Sequence, residues 1–348
     1  MSGNPFLSGI VEGFYGKQWS WADRRGCAEF LACHGLDSYL YCPKGDPFLR
    51  KQWTQNWPDA ELGELKILAD TCAGHGLNFG VGLSPYALYE NYSAPARRQL
   101  KRRLGQIDEI GGVLLAILFD DMPGELTGLA QRQAQIVNDV MHWTTAGRVL
   151  VCPTYYSLDT RLEQFFGARP QNYWEQLGQL LPEQVDILWT GNEVCSESIR
   201  CADIESIAEL LRRRPLLWDN YPVNDGEEGS NFLHLRPLSL RDAGLSSCCS
   251  GHLCNPMNQA WLSRAGLLGL ARLYAAHSGG ISDIFGTELA AQLQADTVRF
   301  QDRGLRSFDA GELLQLKRSY AQFQHPAARE VLAWLEGEYR FDPACLTG

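Results

Sequence analysis

Eight short apolar runs, separated by segments of helical character, constrain the fold of this chain more than any other feature of its sequence. Within each run the apolar residues are nearly continuous, which is typical of parallel strands whose two faces are both buried. The runs are SGIVEGF near Gly9, DSYLYCP near Tyr39, LNFGVGLSP near Phe79, GVLLAILFDD near Leu115, RVLVCPTYY near Leu150, VDILWTG near Ile187, RPLLWDN near Leu217 and SGHLCNP near Leu253.

The segments between these runs have helical character. Six of them predict helices, at residues 21–34, 60–75, 94–110, 130–146, 172–181 and 203–213. The connection 221–244 is irregular and rich in Gly, Asn and Asp, so it holds a short helix at most. Eight alternations of strand and helix within about 250 residues predict a closed (β/α)₈ TIM barrel. A doubly wound open sheet is the alternative.

The sequence beyond residue 255 changes to Ala- and Leu-rich helical segments. We expect the barrel to occupy residues 1–277 and a short C-terminal helical appendage to occupy residues 278–348, with a break at Ser278-Gly279-Gly280. Three helix starts are expected in the appendage, at Thr287, at a capping box of Asp309 with Glu312, and at Pro326.

The charge of the chain bears on its partners. The formal net charge is −10 at pH 7, so there is no general basic surface to neutralise phosphates, and we expect neither nucleic acid nor a membrane as a partner. The longest apolar run, 111–119, is too short to cross a bilayer. The start of the sequence shows no secretory signal, and the 11 cysteines fit a reducing compartment, so we expect a cytoplasmic protein.

One cysteine-rich segment is the best candidate for a metal site. It contains Cys248, Cys249, His252 and Cys254. Their spacing matches no common zinc pattern, and they fall on a predicted strand, so we interpret them as structural side chains. We expect no metal and no cofactor.

The ends of the predicted strands are rich in polar and aromatic residues. In a (β/α)₈ barrel the active site is built from the C-terminal ends of the strands and the loops that follow. Here these positions hold carboxylates, amides, hydroxyls and aromatic rings. Aromatic rings pack on the apolar faces of a sugar, and Asp and Asn bind its hydroxyls. The sequence therefore predicts a sugar pocket.

Asp120 and Asp121, directly after the fourth apolar run, give the strongest local signal. A carboxylate at the end of a buried strand is costly unless it has a function or a partner. Successive side chains of a strand point to opposite faces, so both acids reach one pocket only if the chain turns, and residues 122–124, Met-Pro-Gly, provide that turn. The structural alternative is a helix N-cap or an ion pair with Lys44.

Seven strings at the strand ends resemble glycoside hydrolase family 84, the β-N-acetylglucosaminidases that include the protein O-GlcNAcases. The strings are VEGFYG, YLYCPKGD, LFDD, CPTYY, LWTGN, WDNYPVND and NPMNQA. They occur in the family's order between residues 9 and 259.

The resemblance implies a retaining exo-β-N-acetylglucosaminidase that hydrolyses terminal β-O-linked GlcNAc. In such enzymes the sugar's own 2-acetamido oxygen attacks the anomeric carbon and forms an oxazoline, so catalysis is substrate-assisted. Asp120 would accept the acetamido N–H and steer this nucleophile. Asp121 would protonate the leaving oxygen and later take a proton from water.

The resemblance also implies a set of substrate-binding residues. Tyr156 would donate a hydrogen bond to the acetamido oxygen, Trp218 would line the pocket for the acetamido methyl, and Asn220 would support that pocket. The ring hydroxyls would be held by Gly13, Lys44, Asp225 and Asn255. Asp225 and Asn255 would bind the non-reducing end, which makes the pocket exo-acting.

The implied partner is an O-GlcNAc-modified protein, with a GlcNAc-containing glycan as the other choice. Helices after the barrel complete the cleft in some family members, sometimes across a dimer, which leaves a homodimer open. A chitinase- or hexosaminidase-like barrel is the main alternative. A barrel lyase with Asp120 and Asp121 as Mg²⁺ ligands would need a further carboxylate, which does not stand out in the sequence. A non-catalytic sugar-binding barrel would be expected to lack one of the two acids.

Overall fold

Eight parallel strands form a closed barrel in the computed structural model, which describes residues 4–275 and 279–341. The strands are β1 Leu7–Glu12, β2 Ser38–Tyr41, β3 Asn78–Leu83, β4 Leu114–Leu118, β5 Arg148–Cys152, β6 Asp186–Trp189, β7 Leu216–Asp219 and β8 Gly251–Cys254. Each strand pairs with the next in chain order, and β8 pairs with β1, where Leu7 lies opposite Gly251. The predicted closed barrel is confirmed. The doubly wound alternative is wrong, because an open sheet would leave two edges unpaired.

Helices alternate with the strands around the barrel. Those up to the last strand are α1 Trp21–Cys33, α2 Asp59–Gly74, α3 Ala94–Asp108, α4 Leu129–Trp143, α5 Arg161–Phe166, α6 Tyr173–Leu180, α7 Cys201–Leu211, α8 Gly226–Gly229 and α9 Leu245–Cys248. The six predicted helices correspond to α1–α4, α6 and α7. As predicted, segment 221–244 holds only one short helix, α8. The short helix α5 was not predicted.

The chain after β8 is helical. Its elements are α10 Ala260–Tyr274, α11 Ile281–Phe285, α12 Thr287–Thr297, a π-helix Val298–Arg303, α13 Ala310–Ala321 and α14 Pro326–Leu335. The predicted helix starts at Thr287 and Pro326 are confirmed, as is the capping box, in which Asp309 Oδ1 accepts from the backbone N–H of Glu312 at 2.8 Å. The predicted boundary between residues 277 and 278 lies outside the described residues.

Two apolar clusters stabilise the molecule. The larger one fills the barrel and the layer between its strands and helices. The smaller one belongs mainly to the C-terminal helices and surrounds Phe300, Tyr320 and Trp334. Of the helices in the described part of the chain, none is long and apolar enough to cross a bilayer.

A buried ion pair connects β1 to α1 directly below the strand end. Glu12, the last residue of β1, is completely buried, and Arg24 is 4 % exposed. The Arg24 guanidinium donates to Glu12 Oε1 from Nε at 3.0 Å and from Nη2 at 2.8 Å. Tyr39 donates its hydroxyl to Glu12 Oε2 at 2.6 Å. These bonds compensate the buried carboxylate and fix the strand end where the first site loop begins.

We expect Arg24→Met to reduce the free energy of unfolding by about 3–5 kcal/mol, because Glu12 would be left as a buried charge without its partner. Urea denaturation at neutral pH measures the loss. The matched control is Arg236→Met, whose ion pair with Asp302 at 2.6 Å is exposed and should matter much less. Equal losses in the two variants would contradict this account.

Candidate active site

One cavity at the C-terminal end of the barrel brings together all nine residues that the sequence predicts for the site. It has a volume of about 180 Å³. The predicted residues in its wall are Gly13, Lys44, Asp120, Asp121, Tyr156, Trp218, Asn220, Asp225 and Asn255. They meet there because all nine lie at the C-terminal ends of the strands or in the loops that follow, and these ends surround one opening of the barrel.

Asp120 follows β4 by two residues and is 5 % exposed. The Lys44 ammonium donates a short hydrogen bond to its Oδ2 atom, so the ion pair weighed as a structural alternative does form, but it forms inside the cavity wall. The other oxygen, Oδ1, is buried and accepts no hydrogen bond from any residue in 4–275 or 279–341. A buried carboxylate oxygen without a donor is costly, and this one belongs to a residue that lines the cavity.

Lys44 keeps its charge at this site. Burial by itself would lower the pKa of Lys44, but Asp120 and then Asp121 outweigh that effect, and the pKa is raised above its usual value. The ammonium nitrogen lies 4.0 Å from Oδ2 of Asp121. Lys44 is therefore a permanent positive charge between the two acids at neutral pH.

Asp121 turns the chain out of the strand. Its φ of +54° lies in the left-handed region, which costs a residue other than glycine about 1–2 kcal/mol. Its carbonyl oxygen accepts from Nη2 of Arg50 at 2.8 Å. The predicted turn thus begins at Asp121 itself, one residue earlier than Met-Pro-Gly, and it places the second carboxylate in the same cavity as the first.

Two tyrosine hydroxyls hold the Asp121 carboxylate. Tyr15 donates to Oδ2 at 2.8 Å, and Tyr156 donates to Oδ1 at 3.3 Å. Burial, and next the charge of Asp121, raise the pKa of both tyrosines well above the usual value of 10.0. Both hydroxyls therefore stay protonated and act as donors over the whole neutral range.

The Asn220 side-chain amide connects the ends of β7 and β8 and the loop after β6, and Asn255 extends this network to the end of β1. Its Oδ1 accepts from Nε1 of Trp218 and from Nδ2 of Asn255, each at 3.0 Å. Its Nδ2 donates to the carbonyl of Val194 at 2.8 Å. Asn255 Oδ1 in turn accepts from the backbone N–H of Gly13 at 3.1 Å. The network sets the orientation of the Trp218 ring in the cavity wall.

Gly13 lies flat against that ring. A Cβ atom at this position would be 2.3 Å from Cζ2 of Trp218. Any side chain at position 13 would have to displace the indole. The packing of the cavity wall therefore requires glycine at this position.

Asp225 also lines the cavity, and it occupies the N-cap position of the short helix α8 without a side-chain capping hydrogen bond. Its Oδ2 accepts from the backbone N–H of Tyr15 at 2.8 Å. Burial raises the pKa of Asp225 to about 6, the hydrogen bond from Tyr15 opposes the rise, and the charge of Asp121 adds to it.

Six residues that line the cavity were not among the predicted site residues. They are Tyr15, Cys152, Thr190, Val194, Cys195 and Val223. Tyr15 belongs to the VEGFYG string and could have been found from it. Val194 and Cys195 lie in a loop without a periodic pattern, and neither side chain is of a type that the sequence would single out for a sugar site.

The cysteine-rich segment is divided between a helix and a strand. Cys248 ends α9 and only His252 and Cys254 lie on β8, so the prediction of one strand for all four was wrong. One potential ligand atom each of Asp219, His252 and Cys254 lies within 4.8 Å of the other two. The Arg241 guanidinium donates to both Asp219 oxygens at 2.7 Å, and a fixed positive charge on these oxygens does not fit a metal ligand set.

Known proteins resemble this chain in sequence and in structure. The model of the family "NAGidase: beta-N-acetylglucosaminidase" matches residues 8–284. Proteins described as protein O-GlcNAcase from Rattus norvegicus and Mus musculus are each 28 % identical over 310 residues, which is 86 % of this chain and 33 % of theirs. The chain thus spans about a third of the length of these relatives.

A solved structure is similar to this chain over nearly its whole length. A mutant O-GlcNAc hydrolase from Thermobaculum terrenum superimposes with a TM-score of 0.78 at 27 % identity, covering 95 % of this chain and 81 % of that one. Because the family model matches most of the chain, the resemblance carried by the seven strings is confirmed, and the chain belongs to the β-N-acetylglucosaminidases of glycoside hydrolase family 84.

Proposed function

We propose that this chain hydrolyses terminal β-linked GlcNAc with retention of configuration, through an oxazoline formed by the substrate's own acetamido group. One observation carries the proposal. Asp120 and Asp121 share a cavity but have different surroundings, since Asp120 has a buried oxygen that accepts no hydrogen bond from the described residues and Asp121 is held by two tyrosine hydroxyls.

Asp120 is suited to receive the acetamido N–H. Its Oδ1 atom needs a donor, and an amide N–H placed there would satisfy both groups. The Lys44 ammonium holds the other oxygen, which leaves Oδ1 as the atom that faces the substrate amide. A fixed acceptor for the N–H orients the acetamido oxygen toward the anomeric carbon and raises its nucleophilicity.

Asp121 is suited to move the proton. In the first step the acetamido oxygen bonds to the anomeric carbon, the glycosidic bond breaks, and Asp121 gives its proton to the leaving oxygen. The oxazoline formed is protonated, because its N–H proton stays on nitrogen and is hydrogen-bonded to Asp120. In the second step water bonds to the anomeric carbon, the oxazoline C–O bond breaks, and Asp121 takes the proton from water. Asp121 has the exposure for this exchange, because its side chain is 25 % exposed whereas that of Asp120 is 7 % exposed.

The remaining residues are assigned to the sugar. Tyr156 stays protonated, and its single O–H, which donates to Asp121 in the free enzyme, donates to the acetamido oxygen in the substrate complex. The Trp218 ring, fixed by Asn220, packs on the acetamido methyl. The ring hydroxyls are assigned to Gly13, Lys44, Asp225 and Asn255. Asp225 and Asn255 close the non-reducing end, which makes the enzyme exo-acting.

The natural substrate we propose is O-GlcNAc on Ser or Thr of proteins. The proposal is supported by the rat and mouse relatives, which are described as protein O-GlcNAcases. The cytoplasmic location, the homodimer and the domain division at residue 277 stay predictions. A lyase with Mg²⁺ on Asp120 is disfavoured, because the Lys44 ammonium already binds that carboxylate.

Replacement of the two acids should lower kcat/KM with a different dependence on the leaving group of the substrate. We expect Asp121→Ala to lower kcat/KM by about 100-fold or more for alkyl β-N-acetylglucosaminides, which need protonation, and far less for activated aryl glycosides, which do not. Asp120→Asn should lower kcat/KM for both kinds of substrate, because oxazoline formation itself is impaired. Steady-state kinetics on matched aryl and alkyl glycosides gives the ratio. Identical leaving-group dependence in the two variants would rule out the separate roles.

Asp225 should produce an acidic limb in the pH profile. Its carboxylate is ionised above a pH of about 6 and protonated below it, so its capacity to accept hydroxyl hydrogen bonds is lost as the pH falls. We expect kcat/KM of the wild type to decline with an apparent pKa of about 6. In Asp225→Asn, kcat/KM should be lower throughout and should no longer show this limb. A limb that persists unchanged in Asp225→Asn would assign it to another group.

The substrate class can be tested directly. We expect the enzyme to release single GlcNAc from an O-GlcNAc-modified protein and to leave internal bonds of chitin oligomers uncut, because Asp225 and Asn255 are assigned to the hydroxyls at the non-reducing end of the sugar. Mass spectrometry of both reactions identifies the products, with Asp121→Ala as the inactive control. Internal cleavage of the oligomers with the glycoprotein unchanged would favour the chitinase-like alternative.

A further inference from the structure

The loop between β7 and β8, residues 220–250, carries Asn220 and Asp225 but has little structure of its own. Its helices α8 and α9 have four residues each. Two of its apolar side chains, Leu233 and Leu235, are buried in the C-terminal cluster and not in the barrel core. The middle of the β7–β8 loop is therefore packed onto the C-terminal helices, whereas Leu238 and Leu245 of the same loop pack in the barrel core.

The π-helix Val298–Arg303 holds the middle of this loop and reaches the residue next to Asn220. Gln301 Oε1 accepts from the backbone N–H groups of Leu235 at 3.0 Å and Arg236 at 2.9 Å. Gln301 Nε2 donates to the hydroxyl of Tyr221 at 3.3 Å, and that hydroxyl donates to the carbonyl of Arg236 at 2.5 Å. One glutamine thus satisfies three groups of the loop. π-Helices are rare and are frequent at functional sites.

A second set of contacts holds the part of the loop that follows Asp225. Trp334 Nε1, in α14, donates to the carbonyl of Ser230 at 3.0 Å, and the backbone N–H of Leu305 donates to the carbonyl of Asn231 at 2.8 Å. Gly304 allows this approach, since a Cβ there would lie 2.2 Å from Nδ2 of Asn231. The β7–β8 loop and the segment after the π-helix touch backbone to backbone at this point.

We propose that the C-terminal helices position the substrate-binding residues Asn220 and Asp225, and that Gln301 and Trp334 are positioning residues of the active site. The inference rests on the proposed function, which assigns substrate contacts to the β7–β8 loop. Asp120 and Asp121 follow β4 and do not depend on these helices. Release of the loop would therefore weaken substrate binding and leave the acid pair in place.

Kinetics of the variants Gln301→Leu and Trp334→Phe tests this. With 4-nitrophenyl β-N-acetylglucosaminide, we expect each variant to raise KM by about tenfold and to keep kcat within about twofold of the wild type. Trp334→Phe keeps an aromatic ring at this position but removes the N–H donor and part of the indole packing on Phe300 and Phe308, so Gln301→Leu is the more specific of the two variants. Gln301→Glu should restore KM to within about threefold of the wild type, because a carboxylate still accepts both backbone N–H groups.

The matched control is Arg303→Met. Arg303 lies in the same π-helix, but its guanidinium pairs with Glu312 at 3.1 Å and not with the loop. We expect its KM to equal that of the wild type. A rise in KM for Arg303→Met equal to that for Gln301→Leu would indicate a general structural effect and overturn the inference.

Combination with Asp225→Asn separates positioning from general damage. If Gln301 acts through Asp225, Gln301→Leu should change KM by less than about twofold in the Asp225→Asn background. Fully additive effects both in this double-mutant cycle and in the matching cycle with Asn220→Ala would overturn the inference.

Hydrogen–deuterium exchange provides a readout that does not depend on turnover. We expect amides of residues 226–236 to exchange faster in Gln301→Leu than in the wild type or Arg303→Met. Unchanged exchange would overturn the positioning inference alone. A wild-type protein that does not hydrolyse the glycoside would overturn the proposed function alone.

Discussion

Closure of the sheet between β1 and β8 is the constraint on which the rest of the structure depends. Gly13 follows β1 and Asn255 follows β8, and the hydrogen bond between them joins residues 242 positions apart in sequence. Without the β1–β8 pairing, the Asn220 network would lose its anchor and the Trp218 ring would lose the backbone against which it packs. The cavity is thus a product of barrel closure, because no single strand or loop contains it.

Negatively charged side chains outnumber positively charged ones in the cavity wall. Three carboxylates, Asp120, Asp121 and Asp225, line it with one ammonium, that of Lys44. An acidic, partly desolvated pocket suits a neutral sugar whose anomeric carbon becomes positive in the transition state. Lys44 limits the repulsion between the acids while its contact with Asp120 leaves Asp121 nearer to solvent.

The barrel could be predicted from short-range patterns in the sequence, whereas most of the nine cavity residues were predicted from the resemblance to glycoside hydrolase family 84. Strands buried on both faces need continuous apolar runs, and the predicted site residues lie at or soon after the ends of those runs. Contacts between distant loops have no such pattern, which is why Val194 and Cys195 were missed. The left-handed turn at Asp121 and the π-helix around Gln301 result from tertiary contacts that override local preference.

The packing of the β7–β8 loop on the C-terminal helices sets an order of events during synthesis. Tyr221 precedes Gln301 by 80 residues, and Ser230 precedes Trp334 by 104. At about 5–20 residues per second, about 4–16 seconds pass between the synthesis of Tyr221 and that of Gln301. A nascent chain can therefore contain all eight strands and both acids while its β7–β8 loop still lacks the helical surface on which it packs.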